Sequence, residues 1–231
     1  MSISEKIVNV AKGFIGQKEI KGNQGFQDEA FDKKMRSVGF QTGQAWCSYF
    51  AELVWVDAYA DKPDFLKFIK KQFSGSSYRT LQNFKQLGMV DQVAEPGSVV
   101  IWRKRKSGKY TNFGHVGIVV KATEDHFVSI EGNTNEAGSR EGDVVAEKKR
   151  SYSWTKTSGL ELAGFIHPIE ILVVAPELPF KNKTQGNEFR AWVNDEHSDI
   201  AKEIDLDRTG SYNNDYIRRA WARLYKEYKS V

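Results

Sequence analysis

The feature that most restricts the fold is a change of hydrophobic period partway along the chain. Up to about residue 88 the apolar residues recur at helical spacing; from Pro96-Gly97 onward they alternate or run as short strand-like stretches. Ser2-x-x-Glu5 has the form of a capping box, and Ile3, Ile7, Val10, Ala11 and Phe14 follow on one helical face, with Gly16 beyond. Further helices are predicted over roughly 27–38, from Cys47 through Trp55, over 64–73 behind Pro63, and from Ser76 or Ser77 through Leu87. Strands are predicted over 98–102, 116–121, 127–131, 143–147 and 160–167. No crossover helices separate these strands, so an antiparallel sheet is expected and a doubly wound parallel sheet is not. The expected class is α+β: N-terminal helices packed on an antiparallel sheet.

Two prolines, Pro176 and Pro179, follow Val173-Val174-Ala175 and stiffen a connector. The expected organisation is a catalytic-type domain over 1–174 and a small all-α module over 175–231. Roughly 50 residues are too few for a large core. The module's main helix is predicted over 214–228, with Ile217, Trp221, Leu224, Tyr225 and Tyr228 on one stripe.

Charge and composition limit the partners only loosely. The net charge of +4 is a mild excess in 231 residues and does not single out nucleic acid. No stretch reaches the ~18 apolar residues of a membrane span. Met1-Ser2-Ile3-Ser4-Glu5-Lys6 lacks the basic-then-apolar plan of a secretory signal, so synthesis in the cytoplasm is expected. The single cysteine, Cys47, excludes an intrachain disulfide and a cysteine-based metal site. Its everyday role would be that of a small buried hydrophobe. The four histidines form no closely spaced ligand pair: His126 lies in an expected hairpin turn, His167 precedes Pro168, and His197 lies in the C-terminal module. A zinc peptidase is therefore not expected, and no metal or cofactor is expected.

Chemistry is suggested by three segments taken together. In Gly43-Gln44-Ala45-Trp46-Cys47-Ser48 a loop leads into a helix and the cysteine falls in its first turn. Unpaired amides there favour thiolate over thiol and can receive an oxyanion. In Phe113-Gly114-His115-Val116-Gly117 a histidine begins a strand between glycines, placed to act as a base. One hairpin on, Glu131 and Asn133 share a strand face by alternation, and either could orient the far ring nitrogen of His115. Gln41 and Gln44 are candidates to complete the oxyanion hole. Trp46, Trp102 and Arg103 are candidates for binding substrate. The run Arg103-Lys104-Arg105-Lys106 reads as a solvated hairpin that could also edge a cleft and attract an anionic polymer.

These pieces resemble the CHAP family (cysteine, histidine-dependent amidohydrolases/peptidases) of the papain-like NlpC/P60 group. The resemblance rests on Gly16-Gln17-Lys18-Glu19-Ile20, Ala45-Trp46-Cys47-Ser48, Pro96-Gly97-Ser98-Val99-Val100, Gly114-His115-Val116-Gly117, Ile130-Glu131-Gly132-Asn133 and the closing Gly164-Phe165-Ile166. It implies an amidase or endopeptidase acting on bacterial peptidoglycan, such as a bacteriophage endolysin. By it Cys47 is the nucleophile, His115 the base, and Glu131 and Asn133 the orienting and supporting groups. Such an enzyme would work as a monomer at the cell wall after release, without inserting in a membrane. The segment Gly22–Gln44 holds Asp28, Glu29 and Asp32 but no tight Asp-x-Asp-Gly, so the calcium loop of some relatives is not expected. Asp205-Leu206-Asp207 has Tyr216 where an EF-hand needs Glu. The C-terminal module is faintly similar to peptidoglycan-binding three-helix modules, or else is a plain stabilising cap. Two other jobs fit the same residues: a virion or effector enzyme, and a non-catalytic wall-binding protein.

Overall fold

The computed structural model describes residues 1–134 and 142–169. The expected boundary near Val174–Ala175 and the helical C-terminal module lie outside them. Five helices precede most of the sheet: α1 (Ile3–Gly13), α2 (Glu29–Ser37), α3 (Cys47–Ala58), α4 (Pro63–Gln72) and α5 (Ser77–Gln86). The capping box forms at α1: the Glu5 amide donates to Ser2 Oγ at 3.2 Å and the Ser2 amide to Glu5 Oε2 at 2.8 Å. Asp28 caps α2 through the Phe31 amide at 2.7 Å. Helix α3 buries residues all round rather than along one stripe, and is the central helix of the fold.

The strands β1 (Val90–Asp91), β2 (Val99–Lys106), β3 (Lys109–Ala122), β4 (His126–Thr134), β5 (Val144–Ser151) and β6 (Gly159–Ile166) make one sheet in the order β1-β6-β2-β3-β4-β5. Every pairing is antiparallel. The α+β expectation therefore holds for the described residues. Two details differ from it. The two-residue β1 is too short to produce a period. Strand β3 begins at Lys109 rather than Val116, because β2 and β3 extend as a hairpin whose far end is polar and half-exposed. Ser107 and Gly108 turn it with φ of 50° and 74°, the left-handed pair a two-residue hairpin needs.

Alternation sorts the sheet into two packed faces. Val100, Trp102, Val119, Phe127, Leu162 and Phe165 form one core. Val99, Ile101, Val116, Ile118 and Ile130 point the other way and are fully buried, on the side where α1 and α3 pack. Around the start of α3 the rings of Phe14, Phe26, Phe31, Phe40, Trp46 and Phe50 pack mostly edge to face. Residues 16–19 run beside β5: Gly16 N donates to Val145 O at 2.9 Å, and Glu19 N to Asp143 O at 2.8 Å.

The approach of α3 to β4 is set by a glycine. A Cβ on Gly132 would lie 2.5 Å from Trp46 Cζ3 and 2.8 Å from Phe50 Cβ. Gly132→Ala is expected to cost about 1–3 kcal/mol by overpacking. It should also lower Cys47 alkylation, because the start of α3 must shift. A melting curve and an iodoacetamide rate check both; an unchanged rate in a destabilised variant would show that the helix start does not move.

Candidate active site

Cys47 is the first residue of α3 and is 6% exposed. The N-cap, Trp46, offers no side-chain bond to the first-turn amides, and that turn holds no acidic residue. The partial positive charge of the helix start is therefore left to act on the thiol. Three side-chain bonds fix the segment. Trp46 Nε1 donates to Glu19 Oε2 at 2.6 Å, Tyr49 Oη donates to Gln44 Oε1 at 2.6 Å, and Ser48 Oγ donates to the Ser74 carbonyl at 2.5 Å.

His115 on β3 is fully buried, and its Nε2 lies 2.8 Å from Glu131 Oε2. Pairing between β3 and β4 ends at Ile118↔Ile130, so both side chains sit just past the last register pair. Its Nδ1 is buried with no hydrogen-bond partner among the described residues, and Cys47 lies near enough to influence the ring's charge. Burial alone would push the imidazole pKa down. Hydrogen bonding and charge at Cys47 and Glu131 outweigh it and raise the pKa to about 9.

Glu131 is also fully buried. It accepts from Ser129 Oγ at 2.6 Å and from Arg150 Nε at 2.7 Å, while Arg150 Nη2 donates to its other oxygen. Burial would raise the carboxyl pKa. Arg150 and His115 more than reverse that and hold it at about 2. Trp102 stacks on the His115 ring at 5.7 Å and 30°, and the Arg150 guanidinium lies 5.3 Å from the Trp102 ring. Cys47, His115, Glu131 and Arg150 thus form a row in which each group acts on the next.

Several candidates take different places from those expected. Asn133 breaks the expected alternation: the ladder shifts register between Glu131 and Thr134, and Asn133 takes φ 55°. The bond to His115 comes from Glu131. Trp46 is fully buried in the aromatic cluster and Trp102 is 4% exposed, so neither ring is open to a substrate. Indole rings of this size were more useful to the core than to the surface. Gln41 and Gln44 are both exposed beside α3, and Gln44 alone is tied to its first turn. Arg103 is half-buried between the rings of Tyr78 and Tyr110.

Arg150 is no candidate from sequence, and Glu19 is one only as part of a motif without an assigned role. The strand predicted over 143–147 stops short of Arg150; the observed β5 runs on to Ser151, and its register places Arg150 opposite Phe127 and within reach of Glu131. His126 bonds Thr123, and His167 lies between Asp91 at 3.0 Å and Glu95 at 3.2 Å. His197 lies outside the described residues. Among the described residues no three metal-ligating side chains come together, and no helix is long and apolar enough to cross a membrane.

No curated protein and no solved structure matches the chain. Residues 39–133 match the model of the CHAP domain, a span that contains Cys47, His115 and Glu131 and stops short of Arg150. CHAP domains are in general cysteine- and histidine-dependent amidohydrolases that act on peptidoglycan. On that match residues 39–133, the part that carries Cys47, His115 and Glu131, are similar to a CHAP domain.

Proposed function

We propose that the chain is a peptidoglycan hydrolase that cuts an amide bond of the wall's peptide, as an N-acetylmuramoyl-L-alanine amidase or an endopeptidase. The observation that carries this is the buried His115–Glu131 bond at 2.8 Å with Cys47 acting on the same ring from a helix start. The Cys47 thiolate attacks the scissile carbonyl carbon, and the carbonyl π electrons move to oxygen. The oxyanion is received by the first-turn amides of α3. Gln44, tied to that turn by Tyr49, is the better placed of the two glutamines to assist.

Collapse of the tetrahedral intermediate breaks the C–N bond, and His115 gives its proton to the leaving amine. That leaves a thioester on Cys47. His115 then takes a proton from water as the water oxygen attacks the thioester, releasing the new carboxylate and restoring the thiol. Glu131 holds the ring in one orientation and offsets the charge of the imidazolium. We place the enzyme in the phage-endolysin type, acting as a monomer at the wall after release.

Digestion of purified sacculi followed by mass spectrometry tests this. A freed N-terminal L-alanine identifies the amidase cut, and new termini within the stem or crossbridge identify an endopeptidase. Sacculi recovered with no new amine and carboxyl termini would sink the proposal.

A further inference from the structure

The β2–β3 hairpin carries two arginines that both stack on Tyr110, and only one of them has an ion pair. Arg105 is neutralised: its Nε lies 2.9 Å from Glu161, and its Nη1 donates to the Gly108 carbonyl at 2.8 Å. Glu161 is buried and also accepts from the Tyr110 hydroxyl and from the Lys156 amide at 2.8 Å. Arg103, two residues earlier on the same side of the strand, stands opposite Glu161 in the β2–β6 register but makes no ion pair with it or with any other carboxylate among the described residues. Its guanidinium lies 3.9 Å from the ring centre of Tyr110 and 4.5 Å from that of Tyr78. Its Nε, like that of Arg105, is buried without a hydrogen-bond acceptor.

Stacking covers the faces of a guanidinium and leaves its N–H groups pointing out along the edge. The rings therefore hold the cation in place without satisfying its donors. A planar fork held this way is matched to a carboxylate, which can accept two of its hydrogen bonds at once. The clamping rings are themselves reachable, with Tyr78 38% and Tyr110 46% exposed.

The position relates this cation to the nucleophile. Arg103 follows Val99 and Ile101 on the side of the sheet against which α3 packs, whereas His115 is paired with Trp102 and shares its face. It is paired across the ladder with Gly114, the residue before His115. Facing backbones in such a ladder lie roughly 5 Å apart, and the next Cα is only about 3.8 Å on. A Cβ on Gly114 would meet Ser77 Oγ at 2.6 Å, so the start of α5, with Tyr78, is packed against the histidine's strand. The same loop is bonded to α3 through Ser48 and Ser74.

We propose that Arg103, clamped by Tyr78 and Tyr110, is a subsite for a free carboxylate of the peptide being cut. The inference rests on the reading of the site as a peptidoglycan hydrolase and adds the group that positions the substrate. Arg103 binds that carboxylate along its open edge, and the peptide backbone runs from there to Cys47. Amidation of the carboxylate removes one charge and one acceptor, and so weakens recognition. The neighbouring Lys104 is exposed and points to the other side, so it contributes only general attraction.

The test uses the full chain with Cys47→Ala, which cannot turn over, and a soluble stem peptide of peptidoglycan as its free acid and as its carboxamide. Equilibrium dialysis is expected to show the free acid bound about tenfold more tightly than the amide. In the same background Arg103→Gln should bind both forms equally, Arg103→Lys should keep part of the preference, and Lys104→Gln should keep all of it. Because Arg103 makes no ion pair within the described fold, its variants should melt within a few degrees of the parent, which separates lost recognition from lost structure. A preference that survives Arg103→Gln, or free acid and amide bound equally by the parent, overturns the proposal. Wall lysis by the unmutated chain is measured alongside: a carboxylate preference without lysis keeps the subsite and removes the hydrolase reading, whereas lysis without the preference removes the subsite alone.

Discussion

Cys47→Ala is expected to reduce wall lysis to background, a loss of at least about 10⁴-fold in kcat. The reaction has no second nucleophile within the row: His115, Glu131 and Arg150 supply proton transfer, orientation and charge, and none can form the thioester. Cys47→Ser keeps the size of the side chain and is expected to lose almost as much, because a hydroxyl is a far weaker nucleophile than a thiolate. Neither change should matter much to folding. The thiol is small, and its removal costs on the order of 1 kcal/mol. Turbidity loss of a cell-wall suspension reads the activity, and a thermal melt reads the fold. An alanine variant that clears walls at the parent rate would show that Cys47 is only a buried hydrophobe.

Arg150→Gln is expected to have the largest effect on stability, about 3 kcal/mol, with activity reduced at least about tenfold. Glu131 is fully buried, and Arg150 binds both of its oxygens. Without the guanidinium the carboxylate remains in the core with His115 and Ser129 as its partners, and its pKa must climb from about 2 because burial now dominates. A protonated Glu131 no longer balances an imidazolium. The loss should therefore be worse at pH 5 than at pH 8. Arg150→Lys restores the charge but not the two-bond geometry, and should recover the pH dependence better than the rate.

The pH dependence of the parent follows from the same row. The folded pKa of Glu131 lies below its ordinary value of 4.5, so its contribution is complete above about pH 4.5 and is lost as pH falls through about 2. The folded pKa of His115 lies above its ordinary value of 6.5, so its contribution is complete below about pH 6.5 and is lost as pH rises through about 9. Stability should peak between these limits, with a combined fall on the order of 3 kcal/mol outside them. Glu131→Gln should flatten both slopes. Melting temperatures collected from pH 3 to 10 decide this, and a parent profile as flat as that of Glu131→Gln would contradict it.

Much of the arrangement was legible in the chain because it is locally encoded. Ser2-x-x-Glu5 caps α1, the helical run beginning at Cys47 becomes α3, and the strand signals of Val99–Trp102 and Val116–Lys121 become the middle of the sheet. Each depends on side chains a few residues apart, whose spacing matches the helical or strand repeat. The polar halves of β2 and β3 were hidden for the same reason, since Arg105, Lys106 and Lys109 carry no apolar period.

The working relations between those elements were not legible. Strict alternation put Glu131 and Asn133 on one face, and a register shift breaks that alternation. Trp46 stands beside the cysteine in sequence, where it is expected to bind substrate. Only the buried Glu19 and the rings of Phe26 and Phe31 make it the anchor of the helix start. Arg150 lay beyond the strand predicted over 143–147, and it is the longer β5 and its register with β4 that bring it to Glu131. The sequence by itself determined which residue types stand at a helix start and at a strand, because period and capping are short-range. The tertiary structure alone decided which charges meet, because a buried ion pair depends on the packing of distant segments and on the low dielectric that their closure creates.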